Sequence, residues 1–421
     1  MNKGASITSG KKLLAFVVIA LVIGLAIGYG VGYYTTTLSI SQAPAGAERV
    51  YTLGVTFALS GAVSSVCVQW TPVVTMAIDD LNNITKSMGL NIVFKPYILD
   101  DASTPDGALK NVQTLYATGV RIVIGPALSS QVKAVKAFSD ANKLIIIAPC
   151  SNSPAIAIPD YIFRTQPSAL RESKALATYA VHEGIRSVVS FHINDEFCNV
   201  FAQYFKKYFE ESGGAVLYDI AYQAGQADYG SDVASLASWV AKLRPNAVFY
   251  CGYDTDGANV LNHAADEPVL RGVRWLTVEG FYGASEILTQ KIVDFARATN
   301  MIGLRPVPIA NPLYDEFVEK LKKYGATPTL CSENVYDAVM IAGLAVLRTG
   351  GSSDPEVLRR ALIEVAKTYY GPGGWGLFDE NGDRLQASFR LWTMAFINGT
   401  YQYIDIGYIA DSNIVVEKVL G

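Results

Sequence analysis

Four short segments end in side chains able to hold a small polar molecule. Gly125-Pro126-Ala127-Leu128-Ser129-Ser130 sets two hydroxyls where the apolar run Ile122–Ile124 gives way to a helix-forming stretch. Hydroxyls and free backbone N–H groups at a helix start converge on one spot, which suits an anion. Ala148-Pro149-Cys150-Ser151-Asn152-Ser153 follows the next apolar run with a second row of small polar groups. Tyr250-Cys251-Gly252-Tyr253 and Thr277-Val278-Glu279-Gly280 follow two further apolar runs, one with an aromatic ring and one with a carboxylate. Taken singly, each segment also reads as a helix cap or a solvated loop.

Catalytic and metal signatures are sparse. The three histidines, His182, His192 and His263, fall in no HExxH pattern and beside no GxSxG elbow. His192, Asp195, Glu196 and Cys198 match no standard ligand spacing, and a polar cap on a helix explains them. Asp379-Glu380-Asn381-Gly382-Asp383 lacks the length and closing Glu of a calcium-binding EF-hand loop and reads as a hairpin turn. Gly28, Gly30 and Gly32 lie inside an apolar run, so they form no phosphate-binding loop. No cofactor is expected.

The elements that position the four segments alternate. Strand, turn and amphipathic helix repeat from Val50–Leu59 through Val68–Asn82, Ile92–Leu99, Pro105–Ala117, Ile122–Ile124, Ser130–Ala141 and Leu144–Ile147. A second series runs from Leu170–Glu183 through Ser187–His192, Cys198–Ser212, Val216–Tyr222, Asp232–Lys242, Ala247–Tyr250 and Thr255–Ala265 to Trp275–Thr277. Near-continuous apolar strands in βαβ alternation predict parallel sheets covered on both faces, here in two lobes. Helices over Pro312–Tyr324, Ser332–Arg348 and Pro355–Ala366 have no strands of their own, so the chain is expected to return to the first lobe. Late strands follow around Phe389–Phe396 and Tyr403–Ile406. Open sheets of this kind bind ligands beyond the carboxyl ends of their strands, where the four segments lie.

The N-terminus differs from the rest. Leu13–Tyr34 holds 22 residues without a charge, with Lys3, Lys11 and Lys12 before it and Glu48 as the next charge. About 33 Å of helix spans a hydrocarbon core of about 30 Å, and the lysines place Met1–Lys12 inside and the remainder outside. The segment reads as an uncleaved anchor; a processed signal sequence is the alternative. Gly24, Gly28 and Gly32 share one helix face, and Thr35–Gly46 is a polar tether. The 421 residues carry a net charge of -4 and 34 Lys+Arg against 38 Asp+Glu. Without the first 34 residues and their three lysines the charge is -7, so an acidic outer body is expected and nucleic acid is a poor partner. Five scattered cysteines (67, 150, 198, 251 and 331) exclude a zinc ribbon, permit one or two disulfides outside the cell, and leave an odd thiol.

The order of motifs is similar to the type I periplasmic binding proteins, in the leucine/isoleucine/valine-binding branch of ABC importers. The resemblance rests on Leu53–Gly61, Ala77–Asn82, Asp100–Pro105, Ile122–Ser130, Phe163-Arg164-Thr165, Tyr250–Tyr253 and Phe378–Gly382, and covers the chain from about Arg49 onward. It implies an α/β fold of two Rossmann-like lobes, parallel sheets flanked by helices, joined by a multi-strand hinge. The implied division is anchor 1–34, tether 35–48, lobe 1 over 49–167 and 303–375, and lobe 2 over 168–302 and 376–421. By the same resemblance Ser129, Ser130 and Asn152 supply hydroxyl and amide contacts and Cys150 its backbone. Phe197 lies over the ligand, Tyr253 covers it, and Glu279 pairs with an ammonium group. Asn152 departs from the usual small hydroxyl residue, Ala169 from an acidic one, and Val66 from an aromatic one, although Trp70 is near. The implied activity is non-enzymatic capture of an amino acid for permease subunits in the membrane. Amide, small-peptide, urea-like and carboxylic-acid ligands stay open, as does a ligand-sensing ectodomain; a hydrolase is disfavoured by the missing nucleophile–His pair.

Overall fold

The computed structural model describes residues 48–307, 311–385, 388–410 and 413–416. Among these residues no helix is long and apolar enough to cross a membrane. The anchor expected over Leu13–Tyr34 and the tether up to Ala47 lie outside the described residues.

The first series comprises β1 (Arg49–Phe57), α1 (Trp70–Ser87), β2 (Ile92–Asp100), α2 (Pro105–Ala117), β3 (Ile122–Ile124), α3 (Ser129–Asn142), β4 (Ile145–Ala148) and β5 (Ile162–Pro167). Capping is local: Thr104 Oγ1 accepts from Gly107 N at 3.0 Å, and Pro105 opens α2 with no donor to lose. Every residue of β3 and β4 is buried, as a sheet covered on both faces requires. The second series comprises α4 (Ala169–His182), β6 (Ser187–Ile193), α5 (Glu196–Glu211), β7 (Ala215–Tyr222), α6 (Gly230–Leu243), β8 (Ala247–Cys251), α7 (Asp254–Ala264), β9 (Arg274–Thr277), α8 (Gln290–Ala298) and β10 (Ile302–Pro306). Then follow α9 (Pro312–Lys322), α10 (Ser332–Arg348), α11 (Pro355–Ala366), a small pair β11 (Tyr370–Gly371) and β12 (Gly374–Trp375), β13 (Asp383–Arg384), β14 (Ser388–Ile397), β15 (Thr400–Ala410) and β16 (Asn413–Val416).

The first sheet runs β13-β5-β4-β3-β1-β2 and the second β16-β15-β14-β10-β9-β8-β6-β7. Both share one parallel core pattern, 2-1-3-4-5 against 7-6-8-9-10, so each has a switch point between its first and third strands. The loops after β1, β3 and β4 therefore face those after β6, β8 and β9. Gly125 ends β3 at φ +97, and a Cβ there would lie 2.0 Å from the Thr56 carbonyl oxygen, so only glycine passes.

Two exchange points differ from the expected boundaries. β10, read as the start of the lobe 1 return, hydrogen-bonds with β9 in the second sheet, while β13, read as lobe 2, pairs with β5 in the first. The Asn381-Gly382 turn forms, with Gly382 at φ +80 and Asp379 accepting from Asn381 N and Asp383 N. It delivers β13 to the first sheet. The long β14–β15 hairpin closes instead at Asn398 (φ +54) and Gly399 (φ +83), the two left-handed positions that a type I′ turn needs.

β13 is short, and buried charge holds it. Both nitrogens of the Arg164 fork meet the Asp383 carboxylate, and Arg384 pairs with Asp337 while donating to Asn334 Oδ1 and the Gly373 carbonyl at 2.8 Å. All four charged side chains are buried, so removing one partner strands the other. The disulfides Cys150–Cys331 and Cys198–Cys251 have Cα separations of 5.6 and 5.7 Å, and Cys67 is the free, buried thiol. Asp383→Ala is expected to lower stability by about 3–5 kcal/mol in urea unfolding. Non-reducing peptide mapping is expected to return those two linked pairs, with Cys67 alkylated only after unfolding.

Candidate functional site

The facing loops line a cavity between the two sheets. Ser129, Cys150, Asn152, Phe197, Tyr253 and Glu279 all line it, six of the seven residues singled out from the sequence. Ser130 does not; one residue further along α3 it is rotated by about 100° and is half-buried elsewhere.

Each lining residue is held by its neighbours. Ser129 begins α3, and its Oγ lies 3.0 Å from Ser151 Oγ and accepts from Ser153 N at 3.4 Å. Cys150 is tied through its disulfide to the residue preceding α10. Asp195 caps α5, accepting from Cys198 N at 2.8 Å, and also accepts from the Tyr253 hydroxyl at 2.6 Å. Cys198–Cys251 joins the start of α5 to the end of β8, so Phe197 and Tyr253 move together, their ring centroids 6.3 Å apart. A Cβ on Gly280 would lie 2.2 Å from the Gly252 carbonyl oxygen, so the two lobe 2 loops touch because position 280 is glycine. Asp100 and Asp101 are structural: Asp100 accepts from Leu59 N and Ser60 N, and Asp101 from Gln131 and Thr56.

Carboxylates dominate the electrostatics. Glu279 is buried, and its Oε1 accepts from Asn152 Nδ2 at 3.1 Å across the cleft. Asn152 Nδ2 also lies 3.5 Å from Glu172 Oε2, so the amide nitrogen expected to meet a ligand is directed at two glutamates. Burial, and then the Glu279 charge, pushes Glu172 well above the usual carboxylate range. Glu279 is raised as well, chiefly by burial, and Glu172 is its acidic neighbour. Glu172 Oε1 and Glu279 Oε2 have no hydrogen-bond partner. Asp254, the first residue of α7, accepts from Ser65 Oγ across the cleft at 2.5 Å and is pushed up to about 7, chiefly by burial. Further contacts across the cleft are Thr255 Oγ1 to the Ala62 carbonyl at 3.3 Å and the Lys133–Glu196 ion pair at 2.7 Å. The lobes are closed on each other.

Glu172 and Asp254 escaped sequence reasoning. A signal for Glu172 existed: it shares the buried face of α4 with Ala169, Ser173, Leu176 and Ala180, where a carboxylate is out of place. Trp70 and Val66 both line the cavity, so the aromatic missing at position 66 is supplied four residues on.

Groups whose pKa rises on folding bind protons in the native state first, so their stabilisation is complete below the unfolded value and is lost as pH rises through the folded one. Asp254 at about 7, Asp256 at about 6 and Glu172 all act in this direction. The melting temperature is expected to be higher near about pH 5.5 than near about pH 8, by about 2 °C or more. Asp254→Asn should narrow that gap in a thermal-denaturation series.

Comparison with known proteins agrees with this architecture. Over 384 residues the chain is 25% identical to protein MJ1266 of Methanocaldococcus jannaschii, covering 86% of this chain and 89% of that one. It is 21% identical over 372 residues to the Leu/Ile/Val-binding protein BraC3 of Rhizobium johnstonii, covering 85% and 95%. A solute-binding protein of an ABC transporter from R. palustris, solved with 4-hydroxybenzoate, superposes with a TM-score of 0.72 at 17% identity, covering 86% and 98%. The likeness to type I periplasmic binding proteins inferred from the motifs is thus borne out. With residues 69–396 matching its pattern, the chain belongs to the receptor family ligand binding region family.

Proposed function

We propose that the chain is the extracytoplasmic solute-binding component of an ABC importer and encloses an α-amino acid between its lobes. The observation that carries this reading is Glu279, a buried carboxylate that faces a cavity whose lining also holds Ser129 at a helix start. The ligand's carboxylate meets the Ser129 hydroxyl and the N–H groups at the start of α3, with Cys150 contributing its backbone. Its ammonium meets Glu279, a charge-assisted bond about twice as strong as a neutral one. Phe197 and Trp70 form apolar walls, and Tyr253 is the cover that Asp195 orients.

The names of relatives bear on the ligand in two ways. One is a Leu/Ile/Val-binding protein and one was solved with 4-hydroxybenzoate. A bare aromatic acid suits this cleft poorly, because its lining holds Asp254 and Glu279 and no Lys, Arg or His. Capture is by hinge closure between lobe 1, residues 49–167 with 311–385, and lobe 2, residues 168–307 with 388–416. No covalent step takes part. Leu13–Tyr34 holds the acidic body at the outer membrane face, beside the permease subunits that receive the ligand.

Calorimetry of the purified protein against a panel of amino acids, amides and aromatic acids tests the reading. At least one amino acid is expected to bind and to raise the melting temperature, and Glu279→Gln should weaken it about tenfold or more. Undiminished affinity in that variant removes Glu279 from the site.

A further inference from the structure

An α-amino acid brings one ammonium group, yet the cavity presents two separate buried carboxylates. Glu279 lies at the Asn152 and Glu172 side. Asp254 lies at the other, against Ser65 and beside Cys67, and its strongest acidic neighbours are Glu286 and Asp256 rather than Glu279. Asp254 is fully buried, and its Oδ1 has no partner. The start of α7 offsets part of its charge, and Ser65 supplies one neutral hydrogen bond; no cationic side chain lines the cavity. A carboxylate so placed costs stability unless something positive meets it. An apolar wall of Val63, Val66 and Trp70 lies beside it and suits the methylene stem of a side chain that ends in charge.

We infer that Asp254 is a second cation subsite, so that the ligand is a diamino acid whose side-chain ammonium meets Asp254 while its α-ammonium meets Glu279. The inference rests on the amino-acid reading above. Glu279 and Asp254 line the same cavity, together with Trp70, Ser129 and Tyr253, so one ligand faces both carboxylates. Raised as it is by burial, Asp254 ionises once a cation is beside it.

L-lysine and L-norleucine, near-isosteres that differ in the terminal ammonium, separate the alternatives when titrated calorimetrically into the full chain. Lysine is expected to bind about tenfold or more tighter than norleucine, and Asp254→Asn to abolish that preference. Ser65→Ala, which breaks the bond across the cleft but keeps the carboxylate, should retain it. If norleucine equals or exceeds lysine in the wild type, or if Asp254→Asn weakens both alike, Asp254 is a latch between lobes and the inference is overturned. In those cases a loss of norleucine binding in Glu279→Gln still supports the amino-acid reading. If neither amino acid binds, and none in the wider panel does, both readings fall.

Discussion

Burial of carboxylates around a cavity whose lining holds no basic side chain is the constraint on which the site depends. An acid removed from water must find a proton, a cation or several donors. Glu172 is pushed toward the first course by burial and by Glu279. Glu279 has the Asn152 amide. Asp254 has the Ser65 hydroxyl and the Val66 backbone N–H. The lobes thus meet around buried carboxyls that no basic side chain of the cavity lining offsets.

The scaffold brings those acids together by repeating one topology. Each parallel sheet has its switch point between its first and third strands, and the two switch points face each other. The crossing chain is secured at β13, where Arg164, Asp383, Arg384 and Asp337 make two buried pairs. Such pairs are costly to break from one side and add little to net stability; here they determine which sheet a two-residue strand joins. The disulfides act nearer the site, the first holding the Cys150 loop to the segment before α10 and the second linking the residues that follow Phe197 and precede Gly252.

Strand ends marked by small polar residues proved the most legible feature of the chain. Five of the six residues chosen there line one cavity, joined by Phe197, which the resemblance supplied; the carboxyl end of a buried strand is both a chemical signature and a fixed place in an open sheet. Helices were equally plain: Ser332–Arg348 and Pro355–Ala366 match their expected limits, each starting at a capping position and stopping where polar residues resume. Less legible were β5, β10 and β13. β13 has two residues, too few for any periodicity, and β5 and β10 are short and continuously buried, a pattern that a helix segment can share.

By itself the amino-acid sequence determined the alternation of elements, the return of the chain to its first lobe, the family likeness and the loops that meet at the cleft, because all of these follow from local propensity and from burial along one segment. Tertiary structure alone decided which cysteines pair, that Arg164 serves Asp383, that Asn152 spends its amide on two glutamates, and that Glu172 and Asp254 stand at the site. Those facts depend on residues 20 to 219 positions apart, and a charge reveals that it is stranded only when everything that could neutralise it has been placed around it.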